Sequence, residues 1–149
     1  DAYNTWEPYI SNGKKVLGNK ASQINTKGIY SETFNIVTTV DYLNSNKKVA
    51  EKFLKALINA EEWIKANRNK AITLVAKTVG MERDALAPIW DDYVYEVVLD
   101  KKTLNILNAH AAWRLESGNH PDGVTSVPNF NKVIFSEPLS KVAPNRVKL

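Results

Sequence analysis

The sequence predicts an α/β fold weighted toward helix, with a short mixed sheet. Three observations point there. Residues 47–66 carry apolar side chains at spacings of three and four, the pattern of a one-faced helix. Residues 33–40, Thr-Phe-Asn-Ile-Val-Thr-Thr-Val, are rich in β-branched and aromatic side chains, as strands are. Two or three such strand segments come early in the 149-residue chain, and four or five helical ones follow. The length allows one domain with a buried core. Hydrophobic residues make up 44% and charged residues 24%, the composition of an ordinary globular protein.

Residues 1–6 read as the end of a strand. A helix then starts with Pro8 at its first position, where the missing N–H costs nothing. It runs through Tyr9, Ile10 and Val16 and stops near Gly18. Residues 20–24 suit a short strand, and residues 26–31 a connector turning at Gly28. After the strand at 33–40, Asp41 is a suitable N-cap for a short helical segment at Tyr42 and Leu43.

The helix over 47–66 places Val49, Phe53, Leu57, Ala60 and Ile64 on one stripe, with Leu54, Ile58 and Trp63 widening it. A second helix, 70–78, turns Ile72, Val75 and Val79 inward and stops at Gly80. Residues 83–92 are weakly helical with a boundary at Pro88. Residues 93–99 have strand composition. Asp100 caps a helix over 101–116 that ends at Gly118. The tail holds short apolar stretches broken by Pro138 and Pro144.

Several kinds of chemistry find no footing. The absence of cysteine excludes disulfides, thiolate metal sites and cysteine nucleophiles. His110 has Arg114 at the position where a zinc helix would place a second ligand, and His120 precedes Pro121 in a turn. Glu61-Glu62 and Asp91-Asp92 are adjacent pairs; on a helix neighbours point about 100° apart, so they read as solvated faces rather than paired acids. No Gly-rich phosphate loop occurs. The net charge of +4 comes from lysines alternating with acids along helices, so no nucleic-acid partner is expected. Trp63, Trp90 and Trp113 read as core positions. No metal, cofactor or catalytic residue is expected, and no apolar run reaches the roughly 18 residues of a membrane helix. Residues 1–8 have no signal-peptide character and the chain lacks an initial Met, which suggests a mature protein or a fragment.

One segment carries more. Trp6-Glu7-Pro8-Tyr9 joins a strand end, a large aromatic ring and a carboxylate at a helix start. In open α/β sheets, ligands bind beyond the strand ends, where helix N-termini gather. Trp6 could stack on a solute, and Glu7 could accept its hydrogen bonds or bind a cationic group. Equally, Trp6 could pack under the sheet and Glu7 complement the helix dipole. Position alone leaves both open.

The run Asp1-Ala-Tyr-Asn-Thr-Trp-Glu-Pro-Tyr9 resembles a segment of the solute-binding proteins of nitrate, sulfonate, taurine and pyrimidine-precursor ABC importers. The likeness continues in order through Phe34 to Leu43, Val49 to Asn67, Ala71 to Gly80, Trp113 to Gly118, Val127-Pro128 and Pro144 to Val147. It implies the C-terminal half of such a protein, built as a type II periplasmic-binding-protein-like lobe. Residues 1–24 would end the second lobe, residues 25–33 form the hinge crossover, and residues 34–149 supply the C-terminal part of the first lobe. Trp6 and Glu7 would line the ligand cleft, joined by Tyr30 and Thr33 beside the hinge. The implied partners are a small solute, the membrane permease and the N-terminal half of the same protein. The implied location is periplasmic or extracellular, free or lipid-anchored.

The family resemblance admits an enzyme on the same fold, such as a pyrimidine-precursor synthase or a desulfinase. Those use cysteine, which this chain lacks. A helical interaction module is the other alternative; it would have no sheet and a broad exposed apolar patch.

Overall fold

The computed structural model describes residues 1–149 apart from residues 27 and 30. In chain order the elements are α1 (Tyr9–Leu17), α2 (Val40–Ser45), α3 (Lys47–Ala66), α4 (Arg68–Val79), α5 (Arg83–Leu86), β1 (Leu99–Asp100), α6 (Lys101–Glu116), α7 (Glu137–Val142) and β2 (Val147–Lys148), with short 3-10 turns between several of them. The chain is 60% helical with a small two-stranded parallel sheet, so the α/β class holds at that level. Leu99 pairs with Val147, and Asp100 with Lys148.

The helices follow local chemistry closely. α3 and α6 span the ranges that their apolar spacing predicts. Asp100 caps α6: its Oδ1 accepts the Thr103 backbone N–H at 2.8 Å and the Thr103 hydroxyl at 2.9 Å. α4 ends at Gly80, whose φ of 70° lies in the left-handed region that glycine enters without steric cost. α5 stops at Leu86, and a 3-10 turn over Ala87–Asp92 contains the expected break at Pro88.

The strands depart from expectation. Residues 1–6 and 21–24 carry no strand, and of the run 93–99 only Leu99 enters a ladder. Residues 33–39 have no regular structure. The reason is that β-propensity cannot form a strand without a neighbouring strand to accept its N–H and C=O groups. Among the described residues, no backbone hydrogen bond engages residues 34–38. Phe34 (87% exposed), Ile36 and Val37 all face solvent. Val40 leaves the expected strand to begin α2, because Thr39 and not Asp41 is its N-cap: Thr39 Oγ1 accepts the Tyr42 N–H at 3.2 Å. Asp41 sits in the first turn, where a negative charge favours the helix.

Residue contacts divide the chain into two units, residues 1–27 with 61–95 and residues 28–60 with 96–149. The first contains a core of Ala71, Ile72, Ala76, Leu86 and Trp90, flanked by Ile64, Val75, Met81 and Tyr95. Trp90 is 3% exposed. Glu61 is 4% exposed, not on a solvated face as its sequence setting suggests; an ion pair with Lys65 Nζ at 2.6 Å, one helical turn on, offsets the burial of its charge. In the second unit Pro138, Leu139 and Ala143 are buried around α7. Lys141 Nζ reaches Glu137 at 2.8 Å and Glu51 at 3.4 Å, linking α7 to the first turns of α3. Arg146 Nη1 donates to the Val97 carbonyl at 3.1 Å, next to the β1–β2 pair.

The three tryptophans read as core residues separate. Trp90 is buried, whereas Trp113 is 61% exposed and Trp63 is also exposed. Trp90→Ala should therefore cost about 3–5 kcal/mol in urea denaturation, and Trp113→Ala less than about 1 kcal/mol. Asp100→Ala should cost about 1 kcal/mol at neutral pH by removing the α6 cap. The Thr103 backbone N–H, before all other causes, holds the Asp100 carboxyl below the usual aspartate range. The benefit is thus complete above that range and is lost as pH falls through the depressed value. Denaturation of both proteins across that interval should show their difference closing in acid.

Candidate functional site

The segment that carries the family likeness opens α1. The Trp6 carbonyl accepts the Tyr9 N–H at 3.0 Å and the Ile10 N–H at 3.4 Å, which starts the first turn. Pro8 is the N-cap residue, one position earlier than expected, and has no side-chain acceptor to offer. Glu7 takes over that role: its Oε2 accepts the Ser11 backbone N–H at 3.0 Å. This satisfies one of the unpaired donors of a helix start and puts a negative charge at the positive end of the dipole. Lys14 and Lys15 complement the other end.

The side chains before this turn face outward. Trp6 is 72% exposed and Tyr9 is 58% exposed. Their ring centroids lie 6.5 Å apart with planes at 73°, an edge-to-face pair. Together they form an open right-angled corner. Trp6 does not close a strand, because residues 1–6 have no ladder partner; the helix start alone positions it.

A second group of rings belongs to the same unit. Buried Trp90 stacks on Tyr95 at 4.7 Å, and Tyr95 lies 6.4 Å from Tyr93. Desolvation raises the Tyr93 phenol above its ordinary range, and the charges of Glu7 and then Asp92 add to the rise. A negative charge at either carboxylate opposes a phenolate. The Asp91 carboxylate differs from its neighbour: Arg68 grips it with two bonds, 2.6 and 2.9 Å, and the hydrogen bond from Arg68 chiefly holds it below the usual range. Asp92 has no such partner among the described residues.

Of the predicted ligand-binding residues, Trp6 and Glu7 thus stand together at the start of α1. Tyr30 lies outside the described residues. Thr33 is half-buried in the other unit, where its hydroxyl accepts Asn35 Nδ2 at 3.1 Å. Tyr9, Asp92 and Tyr93 were not among the predicted site residues. Tyr9 was legible as the i+3 neighbour of Trp6; nothing local links Tyr93 to Glu7.

Two hollows lie elsewhere. In the first unit an open groove of about 460 Å³ runs between Asn69, Lys70, Thr73, Lys77 and Arg83. In the second, a hollow of about 320 Å³ is lined by Ser31 from the expected crossover and by Lys102, Asn105 and His110 on one face of α6. No group of three or more His, Asp or Glu residues suited to a metal occurs among the described residues.

If Glu7 and Asp92 both act on Tyr93, neutralising either should make its phenol easier to ionise. An NMR titration of the tyrosine rings should show the Tyr93 midpoint moving down in Glu7→Gln and in Asp92→Asn. Compared with family models, with curated proteins and with solved structures, the chain matches none.

Proposed function

We propose that this chain is the C-terminal half of an extracytoplasmic solute-binding protein that delivers a small solute to the permease of an ABC importer. The observation that carries the proposal is the solvent-open corner of Trp6 and Tyr9 with the Glu7 carboxylate between them in sequence. Exposed rings can stack on a solute, and a carboxylate beside them can orient its polar group. The ordered likeness of the segments from Asp1 to Val147 supports the same assignment, including the type II binding-protein architecture and the division at 1–24, 25–33 and 34–149.

In this scheme the chain binds and does not catalyse. Solute enters between two lobes, and closure is favoured because ligand contacts both faces at once. The N-terminal half supplies the opposing face, and the closed form docks on the permease outside the cytoplasm. Capture by closure needs no cofactor.

The exposed apolar side chains of Val49 and Phe53, one turn apart on α3, and of Trp113 on α6 favour a second assignment, a helical interaction module. The two differ in what they require of the gene. A solute-binding protein should carry, upstream of residue 1, a signal peptide and about one further lobe, with permease and ATPase genes nearby. Joined to that lobe, the chain should bind its solute at least about tenfold more tightly than alone, as calorimetry would measure, because closure needs both faces. Equal affinity, or an upstream sequence without such a lobe, overturns the proposal.

A further inference from the structure

We propose that the Trp6–Tyr9 corner takes the cationic head of a small organic ammonium solute. This rests on the solute-binding assignment above and narrows it to a chemical class.

Two rings with planes at 73° and centroids 6.5 Å apart present two faces to one small volume. Both residues are more than half exposed. An aromatic face carries negative quadrupolar charge, indole most strongly, and two faces at an angle hold a cation better than one. An ammonium with methyl or methylene substituents also gains apolar contact with the rings, which a small hydrated metal ion does not.

Charge around the corner favours the same ligand. Glu7 lies in sequence between the two rings, and among the described residues only one of its oxygens accepts a hydrogen bond, from the Ser11 N–H. Glu7 and Asp92 both bear on the Tyr93 phenol. Neither forms an ion pair with Lys or Arg among the described residues. Three other acids of this unit are ion-paired, Asp91 with Arg68, Glu61 with Lys65 and Asp84 with Arg83. Glu7 thus puts a carboxylate that has no ion-pair partner among the described residues next to Trp6 in the chain. A nitrate or sulfonate would meet the Glu7 carboxylate there. The positive end of α1 does not rescue such an anion, since Glu7 already neutralises it. A neutral planar ring could stack but would leave the carboxylate unused.

The test is a titration of the 149-residue chain with tetramethylammonium chloride at constant ionic strength. Sodium chloride serves as control, and the four indole N–H signals are followed by NMR. The Trp6 signal is assigned by its loss in Trp6→Phe. A saturable shift confined to Trp6 is expected, with a Kd on the order of 10 mM from one exposed corner. Glu7→Gln and Asp92→Asn should each weaken it about three- to tenfold, and Trp6→Ala should remove it from the Tyr9 ring signals. Asp92→Asn leaves the α1 cap intact, so its effect is separate from any loss of helix. A parallel titration with sodium methanesulfonate distinguishes the two levels of the proposal. If methanesulfonate shifts Trp6 and tetramethylammonium does not, the cation assignment fails and a solute site at Trp6 stands. Should neither salt exceed the control, both the cation assignment and Trp6 as a ligand wall fail. Binding of tetramethylammonium that survives both carboxylate substitutions unchanged also overturns it.

Discussion

The Trp90 indole fixes the first unit. It is the largest side chain in a core otherwise made of Ala71, Ile72, Ala76 and Leu86. Alanines on α4 leave room for a bulky ring, and the turn after α5 delivers that ring because Pro88 prevents the helix from continuing. Tyr95 then stacks on the indole, and Tyr93 follows at the edge of the same group. The Tyr93 phenol, on which the Glu7 charge bears, is therefore anchored, two rings away, on the most buried aromatic among the described residues. The chemistry at the start of α1 and the packing of α4 are connected through this series of rings.

Electrostatics divides neighbouring acids into two kinds. Asp91 and Asp92 are adjacent, yet one is held by a two-pronged guanidinium and the other is not. Exposed pairs of the first kind contribute little to stability, because water and salt screen them. Their effect here is on potential: Arg68 cancels Asp91 and leaves Asp92 and Glu7 to set the sign of the field at Tyr93. In the other unit, Lys47 and Lys141 both pair with Glu137, and Lys141 also reaches Glu51.

What was legible in the sequence tracks what is local. The limits of α3 and α6 follow from apolar spacing and, for α6, from the Asp100 cap, since a helix satisfies its own backbone. The strands were not legible, because a strand depends on a partner that composition cannot supply. Residues 33–39 have every side-chain preference for a ladder and no ladder, while the tail residues Val147–Lys148 pair with Leu99–Asp100 without strong strand composition. The site divides in the same way. Trp6, Glu7 and Tyr9 are neighbours in sequence and their grouping could be read. The approach of Tyr93, 86 positions after Glu7 by their numbers, is a tertiary fact. Burial was the weakest inference: one apolar stripe gave the same expectation for Leu57 and for Phe53, and only the latter remains exposed.

The run from Phe34 to Thr38 has one more physical meaning. It is uncharged, free of proline and glycine, and leaves its amides and carbonyls bonded to no described residue. Such a stretch is an open template for main-chain pairing, of the sort that seeds cross-β association. Pairing with another strand would satisfy these groups, and any such pairing would depend on protein concentration and on the sheet edges within reach. Crowding many copies together favours zipping between molecules, whereas a resident edge strand would occupy the same bonds and suppress it.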